Sequence, residues 1–343
     1  MTMNKEHLLT IAIPTYNRPE QLRSTLEIVL PQIEKENRVR LLILDNHSAI
    51  SAIQVLTDMG VSESEQVRVI RHPYNLGGLA NSMRCFELCE TEWLWVLADD
   101  DKVSVDAVET IMADFPGPHV WAFYNFPSRG ISKPIPYGRL EGKTIKGLFD
   151  ASGHCACPFA FLSANVYRMS VIRKCISKGY SCMSSHIPHV AMALAAIEDG
   201  GGWLLSEKTI CDHQAPSNEQ MWMYYPVFLG WLMVCIAFEQ TKSVGEFRRT
   251  MQVDYGRCPE ILLLDYIAWY QLKTAFSPRG GHGFRIMKVF YSPPYWLEPV
   301  SWTKWQAVAI AAYFPTLYVR ALQLYCRILG KKLPPMGLRE RNN

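Results

Sequence analysis

The chain is 343 residues long, 20% of them charged, with a formal net charge of +3. That length can bury a full core in one large domain or two, and the near-balanced charge gives no reason to expect a nucleic-acid partner. The ten cysteines show no Cys-x2-Cys pairing, so reduced thiols are expected. His154-Cys155-Ala156-Cys157 offers soft ligands, but without a second pair it reads as loop and core.

Met1 to Leu9 holds no apolar stretch long enough for a signal peptide. Leu8 to Ile13 reads as a buried strand ended by Pro14. The polar turn Thr15-Tyr16-Asn17-Arg18-Pro19 follows, with Pro19 suited to the first turn of a helix reaching about Ile33. Arg40 to Leu44 is a second strand with Asp45-Asn46-His47-Ser48 at its tip. A helix from Ala49 to Met59 stops at Gly60, and a short strand spans Val67 to Arg71. Asn75-Leu76-Gly77-Gly78 makes a tight turn into a helix from Leu79 to Cys89.

Trp93 to Asp101 reads Trp-Leu-Trp-Val-Leu-Ala-Asp-Asp-Asp. Its apolar part is a buried strand of a parallel sheet, and its three carboxylates fall where open α/β sheets bind ligands. Adjacent carboxylates repel one another unless a cation or solvent intervenes. Two readings fit: a site for Mg²⁺ or Mn²⁺ carrying a diphosphate, or a solvated acidic turn capping a helix from Val103 to Met112. Strands alternating with helices up to this point predict a doubly wound, mostly parallel sheet. Its strand ends gather Thr15, Asp45, Asn75 and Asp99 to Asp101 around one ligand.

Further along, His119 to Phe126 and Phe159 to Tyr167 are strand-like, separated by a loop over Pro127 to Gly142. Met169 to Lys178 and His186 to Ile197 read as helices, and Trp203 to Asp212 as a last strand. After Ser217 the character changes. Tyr225 to Phe238 is nearly all apolar, Tyr291 to Trp305 is rich in Trp, Tyr and Pro, and a basic cluster runs from Arg320 to Arg341. No run of 18 uncharged apolar residues occurs, so this half reads as helices lying on an anionic membrane surface or packing on the sheet.

The first 110 positions resemble the family-2 glycosyltransferases of the GT-A fold. Ile11-Ala12-Ile13-Pro14-Thr15-Tyr16-Asn17-Arg18 looks like that family's opening strand and turn. Leu42-Ile43-Leu44-Asp45-Asn46-His47-Ser48 looks like its second strand, Asn75-Leu76-Gly77-Gly78-Leu79-Ala80-Asn81 its Asn-x-Gly segment, and Leu97-Ala98-Asp99-Asp100-Asp101 its Asp-x-Asp motif. The resemblance implies a GT-A catalytic domain over 1–217 and a nucleoside-diphosphate sugar donor. It implies a divalent metal, Mn²⁺ or Mg²⁺, held by Asp101 and His213. It places Pro14, Thr15, Tyr16, Asn75, Gly77, Asn81 and Asp100 at the donor, with Asp45 on the base and Asp99 near the ribose.

The second half departs from that pattern. Relatives usually carry an acidic pair where this chain reads Ser185-His186-Ile187-Pro188-His189. A histidine can serve as general base near neutral pH, so His189 is the first candidate, His186 the second and Asp199 the third. Phe161 to Arg168 looks similar to a segment of bacterial O-antigen transferases. The resemblance therefore implies an inverting transfer of a hexose or deoxyhexose to a lipid-linked oligosaccharide. It would occur at the inner face of the membrane, with 218–343 as a helical membrane-associating region. A sugar nucleotidyltransferase would need a glycine-rich basic loop after the first strand, which Thr15 to Pro19 is not. A silent nucleotide-sugar-binding scaffold and a membrane-surface structural protein are the rivals from other classes.

Overall fold

The structure is a computed structural model that describes residues 7–125, 138–153 and 157–212, with isolated helical positions 230, 231, 234, 320, 321, 324, 327 and 328. The chain divides into two compact units, Met1–Ser217 and Asn218–Asn343. The membrane-associating helices expected in the second unit lie almost wholly outside the described residues. No described helix is long and apolar enough to cross a membrane.

The first unit opens with strand β1 (Leu9–Thr15) and helix α1 (Pro19–Lys35), which Pro19 starts at its first position. Leu22, Leu26, Val29 and Ile33 fall at helical spacing and form the buried stripe of α1. Strand β2 (Val39–Asp45) leads to helix α2 (Ala52–Asp58), where the Ser51 hydroxyl accepts from the Gln54 N–H and caps the first turn. Strand β3 (Val67–Arg71) and helix α3 (Gly78–Leu88) follow, then strand β4 (Trp93–Val96), all four of whose residues are buried. Next come a two-residue strand β5 (Lys102–Val103), helix α4 (Ala107–Asp114), strand β6 (His119–Asn125), strand β7 (Leu140–Gly142) and helix α5 (Ile145–Ala151). The unit continues through strand β8 (Asn165–Arg168), short helices α6 (Met169–Ile172) and α7 (Ile176–Ser181), helix α8 (Pro188–Glu198), and strands β9 (Gly202–Thr209) and β10 (Cys211–Asp212).

Eight strands form one sheet in the order β3-β2-β1-β4-β8-β6-β9-β7. Strands β3, β2, β1, β4, β6 and β9 run one way, while β8 and β7 run against them. The sheet is thus mostly parallel with helices between its strands, as the alternating pattern predicts. Helix α8 is buried at every position from Pro188 to Ile197 and so belongs to the core on all sides. Each large apolar side chain buried in this way contributes on the order of 1.5–3 kcal/mol.

Three of the differences from expectation have a local reason. Phe159 to Tyr167 is mostly two 3₁₀ turns, because the Asn165 amide bonds the carbonyls of Phe159 and Phe161 and bends the chain. Only Asn165–Arg168 extends, antiparallel to both neighbours. The expected strand Trp203 to Asp212 breaks at Ile210, and its tail leaves the main sheet to pair with β5. That pairing also delays the helix expected from Val103, which begins at Ala107.

Candidate active site

The parallel strands bring their C-terminal ends to one edge. Thr15 stands opposite Asp45, and Asp45 opposite Arg71. Beyond β4, the Leu97 N–H still bonds the Ala12 carbonyl, so Ala98 to Asp101 emerge beside the end of β1. A cavity of about 350 Å³ opens there. Pro14, Thr15, Tyr16 and Arg18 line it from the first turn, Asn46 from the second, and Gly78, Asn81 and Ser82 from α3. Ala98, Asp99, Asp100 and Leu162 complete the wall.

The loops are bound to one another. Asn17 adopts a left-handed φ of 54°, which an asparagine tolerates. Its side-chain oxygen accepts from the Ala49 N–H at 2.8 Å, and its own N–H donates to the Ser48 hydroxyl at 2.9 Å. Gly77 has φ 86° and turns the chain into α3, while the Asn75 side-chain oxygen accepts from the Gly77 N–H at 2.7 Å. Asn75 also accepts from the Asn46 amide at 2.7 Å. Asn81 is buried, and its amide donates to the Leu44 carbonyl at 3.0 Å while its oxygen meets the His72 ring at 3.0 Å.

The acidic turn is held from beneath by α1. The Thr25 hydroxyl donates to the Asp99 carbonyl at 3.0 Å, and Gln32 donates to the Ser104 carbonyl while accepting from the Val108 N–H. The Ser163 hydroxyl fixes the other side by accepting from the Ala98 N–H at 2.8 Å. The Asp99 side chain is only 6% exposed. One of its oxygens accepts from the Thr15 hydroxyl at 2.6 Å, the other from Arg18 Nη1 at 3.0 Å. The same Arg18 nitrogen donates to Asp100 at 2.6 Å. Burial nevertheless holds the Asp99 carboxyl above the usual carboxylate range, against the opposing pull of Thr15 and Arg18.

Asp45 stands apart from the cavity lining. It is fully buried and does not line the cavity. Its oxygens accept from the Ser48 N–H at 2.8 Å, the Ala52 N–H at 3.2 Å and Arg71 at 3.4 Å. It braces the loop between β2 and α2, while the neighbouring Asn46, itself only 1% exposed, is part of the cavity lining. Asn46 donates to Asn75 and accepts from the Leu76 N–H at 2.8 Å, which uses half of its amide's capacity. Sequence reading missed Asn46 and Arg18 as site residues, though both stood inside turns already singled out.

The three candidate bases also stand apart from that lining. His189 lies in the first turn of α8, 5% exposed, with one ring nitrogen toward the backbone of Phe159 and Ala160. Its Nε2 is buried and has no hydrogen-bond partner among the described residues. Burial pushes its pKa down to about 4, so it is neutral and a weak base at pH 7. His186 is exposed, with a left-handed φ of 61° at the end of a turn. Asp199 caps the far end of α8. None of the three lines the cavity. His213 lies outside the described residues.

A divalent cation fits the chemistry of the acidic turn. Asp99, Asp100 and Asp101 are hard oxygen donors, and a cationic group, the Arg18 guanidinium, already stands against two of them. Asp212 adds a buried carboxylate oxygen with no hydrogen-bond partner among the described residues. Burial pushes the Cys211 thiol up, and the Asp101 and Asp212 carboxylates near it push in the same direction. Both therefore lie in one neighbourhood. No preformed cage of three His, Cys, Asp or Glu side chains occurs among the described residues. Mg²⁺ sites of nucleotide enzymes commonly use one or two carboxylates with the substrate's own phosphates.

Residues 10–175 match the family model described as Glycosyl transferase family 2. No curated protein matches the chain. Among solved structures, S. aureus TarS 1-349 in complex with UDP-GlcNAc is similar with a TM-score of 0.56 at 11% identity, covering 95% of this chain and 93% of that one. Its complex with UDP gives a TM-score of 0.56 at 12% identity over the same 95% and 93%. The mannosyltransferase PcManGT from Pyrobaculum calidifontis, in complex with GDP-Man and Mn2+, gives 0.51 at 11% identity, covering 93% of this chain and 90% of that one. At such identities the structural likeness shows the GT-A fold.

Proposed function

We propose that this chain, a glycosyltransferase whose residues 10–175 carry the family 2 domain, moves a hexose or deoxyhexose from a nucleoside-diphosphate sugar to a lipid-linked oligosaccharide. The observation that carries the donor reading is the cavity at the parallel strand ends, where Asp99 and Asp100 meet Thr15, Asn46 and Asn81. Solved proteins of the same fold hold UDP, UDP-GlcNAc or GDP-Man with Mn2+, which supports a donor of that class.

In this reading Tyr16, 42% exposed at the mouth, offers a flat apolar face to the nucleobase, and the Asn46 amide supplies hydrogen bonds to it. Thr15 holds the Asp99 carboxylate in one orientation toward the ribose. Asp101 would hold the metal, with His213 as its expected second ligand and the Asp212 carboxylate close by. The metal, when bound, neutralises charge that builds on the diphosphate as the glycosidic bond breaks. The acceptor hydroxyl attacks the anomeric carbon from the face opposite the diphosphate. That centre inverts as the bond to the diphosphate breaks and the nucleoside diphosphate leaves, and the hydroxyl proton passes to a base outside the described cavity lining.

The aromatic and basic composition of 218–343 supports a lipid-linked acceptor at the inner membrane face, as in surface polysaccharide (O-antigen) synthesis. A silent nucleotide-sugar-binding scaffold is the second reading, and the absence of His186, His189 and Asp199 from the cavity lining favours it. The test is transfer of labelled sugar from UDP- and GDP-sugars to polyprenyl-diphosphate oligosaccharides. The proposal predicts metal-dependent transfer that drops by about two to three orders of magnitude in Asp101→Ala. Transfer and Mn²⁺ dependence left intact in Asp101→Ala would sink it. Donor binding without turnover across the acceptor panel would point to the scaffold.

A further inference from the structure

We propose that Arg18 is a placeholder cation of the donor site. It neutralises Asp99 and Asp100 while the site is empty and passes to the diphosphate when metal and nucleotide enter together. The inference rests on the donor reading above and assigns a positioning role to a residue that reading does not use.

Three observations carry it. One nitrogen, Nη1, serves both carboxylates at 3.0 and 2.6 Å, as a small cation would. The arginine is also free to leave. Its side chain is 47% exposed, and it sits at the N-cap of α1 without a side-chain capping bond, so its movement breaks no helix cap. Finally, it lines the same cavity as Asp99 and Asp100, where a diphosphate would lie within its sphere. A guanidinium keeps its charge at every accessible pH, so only its displacement, and never its deprotonation, can vacate the carboxylates. A metal ion arriving alone at Asp101 meets neighbouring carboxylates whose charge Arg18 already neutralises. Metal arriving with a diphosphate offers Arg18 a new anionic partner, so the two ligands should favour each other's binding.

Removing the guanidinium should therefore separate the two affinities. In Arg18→Gln, Mn²⁺ alone, titrated by the electron paramagnetic resonance of the free ion, should bind about tenfold more tightly than to wild type. UDP or GDP at saturating Mn²⁺ should bind several-fold more weakly, and Arg18→Lys, which keeps the charge, should stay near wild type in both titrations. If Arg18→Gln binds Mn²⁺ alone no more tightly than wild type, the placeholder role is wrong while the donor reading stands. If wild type binds no Mn²⁺ even with either nucleotide, the metal reading falls and takes this inference with it. Circular dichroism of each variant confirms the fold, and Arg18→Ala, which also removes the charge, carries the same two expectations should Arg18→Gln be unstable.

Discussion

At the scale of single residues, the site turns on which of two neighbours faces the cavity. Asp45 and Asn46 both sit where β2 ends, and the resemblance read there marks the segment without marking the side chain. Asp45 spends its oxygens on two backbone N–H groups and Arg71. Asn46 lines the cavity. Their variants should separate accordingly. Asp45→Ala strands those donors in a buried place and should cost about 3 kcal/mol of stability by denaturant titration. Asn46→Ala should weaken nucleotide binding about tenfold by calorimetry, the worth of one lost hydrogen bond. The reverse pattern, with Asp45→Ala folding normally and losing the nucleotide, would return the base contact to Asp45. Thr15, Asp99 and Asp100 were legible as cavity-lining residues because parallel strand ends fix their place, whereas Tyr16 and Asn81, which lies within α3, rested on the family resemblance. The partnership of Arg18 with the aspartates was not, since the residues are more than eighty positions apart and meet only through the register of β1 with β4.

Among the elements, α8 shows how far periodicity reaches. Its apolar run predicts a helix near 186–197, and the structure gives Pro188–Glu198. The pattern does not say that the helix is enclosed on every side, because that depends on α5, α6 and α7 packing around it. Enclosure changes what His189 can do. Its pKa is about 4 in the folded chain, against an ordinary value of 6.5. The folded state therefore refuses a proton that the unfolded state accepts. Stability is complete above pH 6.5 and falls as the pH drops toward 4, by about 3 kcal/mol at the lower end. His119 is 1% exposed, is also pushed to about 4, and adds a loss of the same sign. Melting temperatures of wild type and His189→Leu between pH 7 and 4.5 test this. The variant should lose less stability across that window, and parallel curves would show that His189 does not titrate on unfolding.

At the scale of the whole molecule, the doubly wound plan followed from strands and helices alternating through Asp101, and the sheet order β3-β2-β1-β4 carries that plan. The second half of the first unit was less legible. Strand β8 runs antiparallel between β4 and β6, and such a placement depends on pairing across the sheet that no local pattern encodes. The central claim is that the strand ends build a metal-assisted nucleotide site. Its most direct test is the melting temperature of the intact chain with UDP or GDP, with and without Mn²⁺, in wild type and Asp101→Ala. A ligand that binds the folded state at a hundred times its Kd adds about 2.7 kcal/mol and raises the melting temperature. The account predicts a rise with one nucleotide that requires Mn²⁺ and is lost in Asp101→Ala. No rise with either nucleotide, or a rise that survives in Asp101→Ala, would contradict it.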